Sequence, residues 1–291
     1  MLSLIGFLFC SEKISAESRH SIRKLEDIVI YKNEKFHSAF PSIVRRPDGE
    51  LLVAFRRAPD WRPLGAKNYT HTDPNSYLML THSKDNGKTW SESKTFFAHP
   101  FGGSQDPCMV QLSDKSILCA SYGWSLVPTN VYVKLKQPLF HHGNFVFLGG
   151  YLLRSTDGAK SWSEPIIPAP AQNELNLDIF GKPVPCFNRG AMCEGKDGRL
   201  FWVVPAKGLL PSTKSGTHLM ISEDKGTTWK YSCPIAEDEK ITFNETSIYE
   251  TSNVRIRLFH HLVMLARKFG SSKDWRATRR RKSSRQSKVS T

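Results

Sequence analysis

The 291-residue sequence has no stretch approaching the roughly 20 apolar residues that a membrane-spanning helix needs, so its body reads as soluble. Its six cysteines include no CxxC pair, which removes the spacing of a structural zinc site. Cys108 and Cys119 flank an expected hairpin and are open to pairing, although spacing alone establishes no disulfide. The histidines offer no metal-ligand spacing either. His141 and His142 lie in a long insertion, His260 and His261 lie where the repeat pattern fades, and both pairs read as surface loop. No metal or cofactor is expected.

The body also lacks the charge of a nucleic-acid binder. The formal charge is +14, but residues 251–291 hold twelve Lys/Arg against one acid, Asp274, and account for +11 of it. Residues 1–250 carry 29 basic against 26 acidic side chains, a net of only +3. The basicity belongs to the tail, and no nucleic-acid partner is expected for the body.

What is present is core-forming material. Hydrophobic residues make up 39% and aromatic residues 11% of the chain, enough for one large packed domain. Seventeen prolines and nineteen glycines are scattered, as in a fold with many short connections. At the start, Leu2 to Cys10 forms an apolar run with no basic residue before it. It reads either as the core of a secretory signal within residues 1–20, making the protein secreted or periplasmic, or as a first strand.

Two interleaved repeats carry the most information. The first is Ser83-Lys-Asp85-Asn-Gly87-Lys-Thr89-Trp90, which returns as Ser155-Thr-Asp157-Gly-Ala159-Lys-Ser161-Trp162 and as Ser222-Glu-Asp224-Lys-Gly226-Thr-Thr228-Trp229. A Ser and an Asp can bond neighbouring backbone amides, glycine accepts positive φ, and tryptophan packs back over the turn. The middle copy has Ala159 in the glycine place and is expected to be strained or shifted. The second repeat is an apolar hairpin opening at Pro41, Pro107 and Gly190, with Asp48, Asp114 and Asp197 each seven residues on. A fourth copy opens at Thr246 and loses its pattern after Asn253. Together the two repeats amount to about four strands per 55–85 residues, one propeller blade with variable loops.

From Phe36 to Thr251 these boxes and hairpins resemble the Asp-box, or bacterial-neuraminidase, repeats of the exo-α-sialidase superfamily. The resemblance implies an all-β, sialidase-like β-propeller, six-bladed in the family with about four blades encoded here over residues 30–253. It implies a glycosidase acting on sialylated or other glycans by way of an arginine triad, an Asp acid/base and a Tyr nucleophile activated by Glu. The chemistry suits a sugar with a carboxylate at its anomeric centre. A neutral Tyr meets less repulsion there than a second carboxylate would, and arginine's planar fork grips the substrate carboxylate.

Carried over residue by residue, the pattern matches in part. Ala39 stands where the first triad arginine belongs, which is a departure. Arg56 and Arg57, at the end of a strand, match the next active-site arginine and are expected to bind substrate; a solvated strand end is the plain alternative. Asp60 takes the approximate place of the acid/base, or is a turn aspartate after proline. Asp106 and Arg189 open the second and third hairpins at the end where a propeller binds ligands, and are expected to contact the sugar. Glu245 opens the fourth, where the family's Glu takes the phenolic proton. No nucleophilic Tyr is assignable; Tyr249 is near Glu245 but on the same strand. The sequons at Asn68 and Asn244 match glycosylation by pattern only, and the second coincides with the expected site.

Residues 254–291 read as a degraded blade followed by a low-complexity basic tail. They suggest a truncated or frame-shifted reading of a longer parent, or a real appendage for polyanions or membranes. Three functions follow for testing: an exo-α-sialidase-like hydrolase, a non-catalytic carbohydrate-binding propeller, and a propeller glycosidase with another sugar.

Overall fold

The structure is a computed structural model that describes residues 23–67, 72–136, 144–172, 174–206, 214–252 and 256–263. The apolar run of residues 2–10, the His141–His142 pair, Asn68 and the basic tail from 264 lie outside the described residues. The chain divides into two units, residues 1–30 and 31–291. The described part of the first, residues 23–30, is exposed and without regular secondary structure.

The second unit is built of antiparallel sheets that follow one another along the chain. Strands β1 (Phe36–Arg45), β2 (Leu51–Pro59), β3 (Tyr77–Ser83) and β4 (Lys94–Phe97) pair in sequence order. The next sheet has β5 (Gly103–Ser104) and β6 (Cys108–Gln111) on one side of β7 (Ile117–Leu126) and β8 (Phe145–Ser155) on the other. Ile166 then bridges Leu152 beyond β8. The third sheet is β9 (Cys193–Glu194), β10 (Leu200–Ala206), β11 (Gly216–Ser222) and β12 (Lys230–Ala236), again in chain order. A final hairpin joins β13 (Thr242–Glu250) to β14 (Ile256–Val263). This is the all-β architecture of propeller blades expected from the repeats. Among the described residues no helix is long and apolar enough to cross a membrane.

The second strand of each blade is buried on both faces, and its period-two alternation assigns side chains to opposite neighbours. On β2, Leu52 and Ala54 pack with Met109, Ile117 and Cys119 of the second sheet, while Val53 and Phe55 pack with Met79 and Tyr31 on the other face. On β7, Ile117 and Cys119 look back to the first sheet, and Leu118 and Ala120 look forward to Leu200, Trp202 and Val204. On β10, Phe201 and Val203 meet Ile248 and Leu258 of the last hairpin. The core is therefore a series of seams between blades. Burial at every step explains why these strands read as continuous apolar runs rather than alternating ones.

The three repeated turns share one hydrogen-bond scheme. The Gly87, Ala159 and Gly226 amides donate to Ser83, Ser155 and Ser222 Oγ at 2.9, 2.8 and 2.7 Å. Thr89, Ser161 and Thr228 each give the aspartate both a backbone and a hydroxyl hydrogen bond, the latter 2.6 Å in all three. These bonds, the Thr89 and Ser161 hydroxyls foremost, hold Asp85 and Asp157 below the usual carboxylate range. Two successive residues in every turn are left-handed, and Ala159 is one of them at φ 68°. The tryptophans separate the copies. Trp90 and Trp229 donate Nε1 to the Gly87 and Gly226 carbonyls at 3.0 and 3.2 Å, whereas buried Trp162 Nε1 has no acceptor. The alanine copy is both strained and shifted.

Two sequence readings need correction. Pairing does not stop at Asn253: Glu250 partners Ile256, Ile248 partners Leu258 and Thr246 partners His260. His260 and His261 accordingly lie in β14, not in a surface loop. Leu258 packs on the β10 side, so loss of the turn motif did not remove the strand. Cys108 and Cys119 are both free and buried, and burial raises their thiols, Cys108 to about 11 and Cys119 higher still.

Candidate functional site

Three blade openings and strand β2 deliver polar groups to one cluster. Asp106 precedes β6, its neighbour Gln105 tied by a backbone hydrogen bond of 2.9 Å to the Tyr122 carbonyl on β7. Arg189 precedes β9 and is set by Asn188, whose side-chain amide donates to the Val203 and Thr246 carbonyls while its Oδ1 accepts from the Gly190 amide at 3.0 Å. Gly190 has to be glycine, because a Cβ there would lie 2.0 Å from the Thr246 carbonyl oxygen. This close approach brings the third and fourth openings together, and Glu245 arrives beside Arg189.

Arg189 is the hub. Its Nε lies 2.9 Å from Asp106 Oδ2, its Nη1 bonds Glu245 Oε1, and its guanidinium carbon stands 5.6 Å over the Tyr122 ring. Tyr122 donates its hydroxyl to the same Asp106 Oδ2 at 2.7 Å. Burial would lower the pKa of Arg189, but Tyr122, Asp106 and Glu245 more than offset it and the net shift is upward. Tyr122 is wholly buried; burial first, and then the Asp106 carboxylate, push its phenol well above the ordinary value. The cluster is graded in depth. The side chains of Arg189 and Glu245 are 22% and 28% exposed, whereas that of Asp106 is 4% exposed and lies beneath them.

Arg56, from the first blade, comes into this cluster on the face of β2 that carries Leu52 and Ala54. It is 1% exposed, and its Nε and Nη2 have no hydrogen-bond acceptor. Burial lowers its pKa, with Asp106, Asp73 and Tyr122 acting in the opposite direction. Asp73 in turn accepts the Trp61 indole N–H at 2.7 Å. Arg57 points to the opposite face by strand alternation and stacks over the Phe36 ring at 4.3 Å. Of the two arginines, only Arg56 joins the cluster. Ala39 pairs with Arg56 across β1 and β2, so the missing triad arginine leaves a small side chain opposite it.

Asp60 is paired with Arg62, whose Nε and Nη2 bond its two oxygens at 2.8 and 2.5 Å. Those bonds hold its pKa at about 2. A carboxyl that ionises so low has no proton to donate at neutral pH, which weighs against the acid/base role expected for it. Glu245 meets Arg189, and Tyr249, four residues on, is 46% exposed. Tyr122 was missed in the sequence, yet a signal was there: it lies 15 residues after Pro107, as Arg56 lies 15 after Pro41. Away from the cluster, an apolar cleft of about 370 Å³ is lined by His99, Phe101, Tyr151, Ile167 and Phe180 among others. Among the described residues no group of three or more His, Cys, Asp or Glu is placed to hold a metal.

Comparison with solved structures finds a protein of unknown function from Dyadobacter fermentans at 53% identity and a TM-score of 0.79, over 84% of this chain and 67% of that one. The chain belongs to the same family as that protein. A Hadza microbial sialidase matches at 16% identity and TM-score 0.51, over 72% of this chain and 39% of its own. A point mutant of the NanB sialidase from Streptococcus pneumoniae matches at 13% and 0.54, over 80% and 50%. The fold is sialidase-like, and the chain spans half or less of the length of these two sialidases. No family model and no curated protein matches the sequence.

Proposed function

We propose that the protein is an exo-α-sialidase-like glycoside hydrolase that releases terminal sialic acids, its three turns serving as Asp-boxes of a neuraminidase-type repeat. One observation carries the reading: Arg189 and Glu245 face outward from successive blade openings above a buried arginine, Arg56, that has two donors and no acceptor. A substrate carboxylate that reaches the floor of the site satisfies those donors, and arginine at a dry site suits a planar anion. Glu245, the most exposed carboxylate of the cluster, is the group that takes or returns a proton during bond cleavage. Tyr122 is fully buried and is not the attacking group.

A non-catalytic carbohydrate-binding propeller is the second reading. Ala39 opposite Arg56 and the Asp60–Arg62 pair favour it, since they remove one carboxylate ligand and one proton donor. A glycosidase for a different sugar is the third, favoured by the two carboxylates that already engage Arg189. A fluorogenic sialoside, set beside a panel of neutral glycosides and a Glu245→Ala control, separates the three. Sialoside turnover abolished by the substitution supports the first reading. Saturable sugar binding without turnover supports the second, and turnover of a neutral glycoside alone supports the third.

A further inference from the structure

Asp106 is already engaged within the protein before any sugar arrives. Its side chain is 4% exposed, and the oxygen that makes no hydrogen bond, Oδ1, is itself buried. Its other oxygen, Oδ2, accepts the Tyr122 hydroxyl hydrogen bond at 2.7 Å from one strand and is ion-paired with Arg189 of the next blade, whose Nε lies 2.9 Å away without the alignment of a hydrogen bond. Arg189 in turn lies over the Tyr122 ring and reaches Glu245, so the chain of contacts runs from the wholly buried phenol outward to the exposed carboxylate. An arginine side chain has several rotatable bonds, and a guanidinium ion-paired with Asp106 and Glu245 and seated on an aromatic face loses much of that freedom before ligand arrives.

We infer that Tyr122 and Asp106 form a buried positioning pair that orients Arg189, and through it Glu245, toward the sugar. Asp106 then acts through Arg189 and makes no contact with the ligand, and the Tyr122 hydroxyl is the part of the pair that fixes Asp106. This rests on the reading of the Arg189–Glu245 face as the glycan site. The arrangement uses both parts of Tyr122, its ring as the seat and its hydroxyl as the clamp, which accounts for a tyrosine and not a phenylalanine at this position of β7. Removal of one hydroxyl leaves the core packing of Phe147, Phe187 and Trp124 around the ring in place, so the substitution probes the clamp rather than the fold.

The test uses Tyr122→Phe, Asp106→Asn and the double variant in the full chain, with N-acetylneuraminic acid titrated calorimetrically and melting temperatures taken in parallel. Each single variant is expected to weaken binding about tenfold, and the second substitution made in the background of the first to add less than twofold, because the two groups work as one unit. Additive losses, or Tyr122→Phe binding within twofold of the unaltered chain, overturn the inference while the unaltered chain's own binding keeps the glycan reading alive. If the unaltered chain binds another sugar of the glycoside panel in place of the sialic acid, the same cycle is run with that sugar: the sialidase reading falls, and the positioning pair stands or falls on non-additivity. A chain that binds no sugar overturns both. Should Asp106→Asn fail to fold, Arg189→Lys, which keeps the charge but loses the Nε contact, takes its place against Tyr122→Phe with the same expectation.

Discussion

The three turns form an internal experiment on backbone strain. Ala159 holds φ 68°, a left-handed conformation that costs an L-residue with a Cβ about 1–2 kcal/mol. Replacing it with glycine releases that strain and lets the turn relax toward its siblings, in which tryptophan Nε1 reaches the carbonyl, a bond worth about 1 kcal/mol if regained. Against this stand about 0.4–1 kcal/mol of extra unfolded-state entropy and about 0.4 kcal/mol for half a buried methyl. Ala159→Gly should therefore stabilise the chain by about 1 kcal/mol. The reverse change at Gly87 meets only ordinary contacts, Leu51 and Trp90 at 3.7 Å, so Gly87→Ala should cost about 1 kcal/mol of strain alone. At Gly226 the new Cβ would lie 2.5 Å from Leu118 Cδ2 and 3.2 Å from Leu200 Cδ1, adding about 1–3 kcal/mol of overpacking. Urea unfolding followed by tryptophan fluorescence ranks the variants. The reasoning is refuted if Ala159→Gly destabilises the chain, or if Gly226→Ala costs no more than Gly87→Ala.

Arg56→Met should leave the unfolding free energy within about 1 kcal/mol, because two donors without acceptors are removed while Asp106 keeps Tyr122 and Arg189 and Asp73 keeps Trp61. Sugar affinity should drop at least tenfold in calorimetry; a stability loss above about 3 kcal/mol would make Arg56 a structural cation instead. Arg189→Met should cost about 3 kcal/mol in urea unfolding, since it strips the shared cation from Asp106 and Glu245, and a neutral result would show that the two acids find other partners. His218 is buried and burial lowers its pKa from 6.5 to about 4, so it stays neutral in the fold over a range where the unfolded chain takes up a proton. Its contribution is intact above pH 6.5 and is lost as the pH falls toward 4, and His218→Gln should flatten the urea midpoint over that window.

The sequence by itself determined the repeat and most of what the repeat entails. Ser, Asp, Gly and Thr at fixed offsets bond to their own backbone, so three turns form from local chemistry alone, and even the misfit of Ala159 was legible. The apolar runs likewise declared strands buried on both faces. Tertiary structure decided which polar residues meet. Arg56 and Arg57 are adjacent in sequence, but strand alternation sends one into the cluster and the other onto Phe36. Asp60 reads as a free turn carboxylate until Arg62 closes on it from two residues away. Asp106, Arg189 and Glu245 are separated by 83 and then 56 residues; the close approach that Gly190 permits between the third and fourth openings brings the last two together, and Arg189 joins them to Asp106. The fourth strand pair formed despite a lost turn motif, because pairing needs a partner edge and an apolar seam: β13 supplied the edge and the third blade the seam. Local hydrogen bonds are written residue by residue, whereas a site shared among blades exists only once packing has fixed the distances between them.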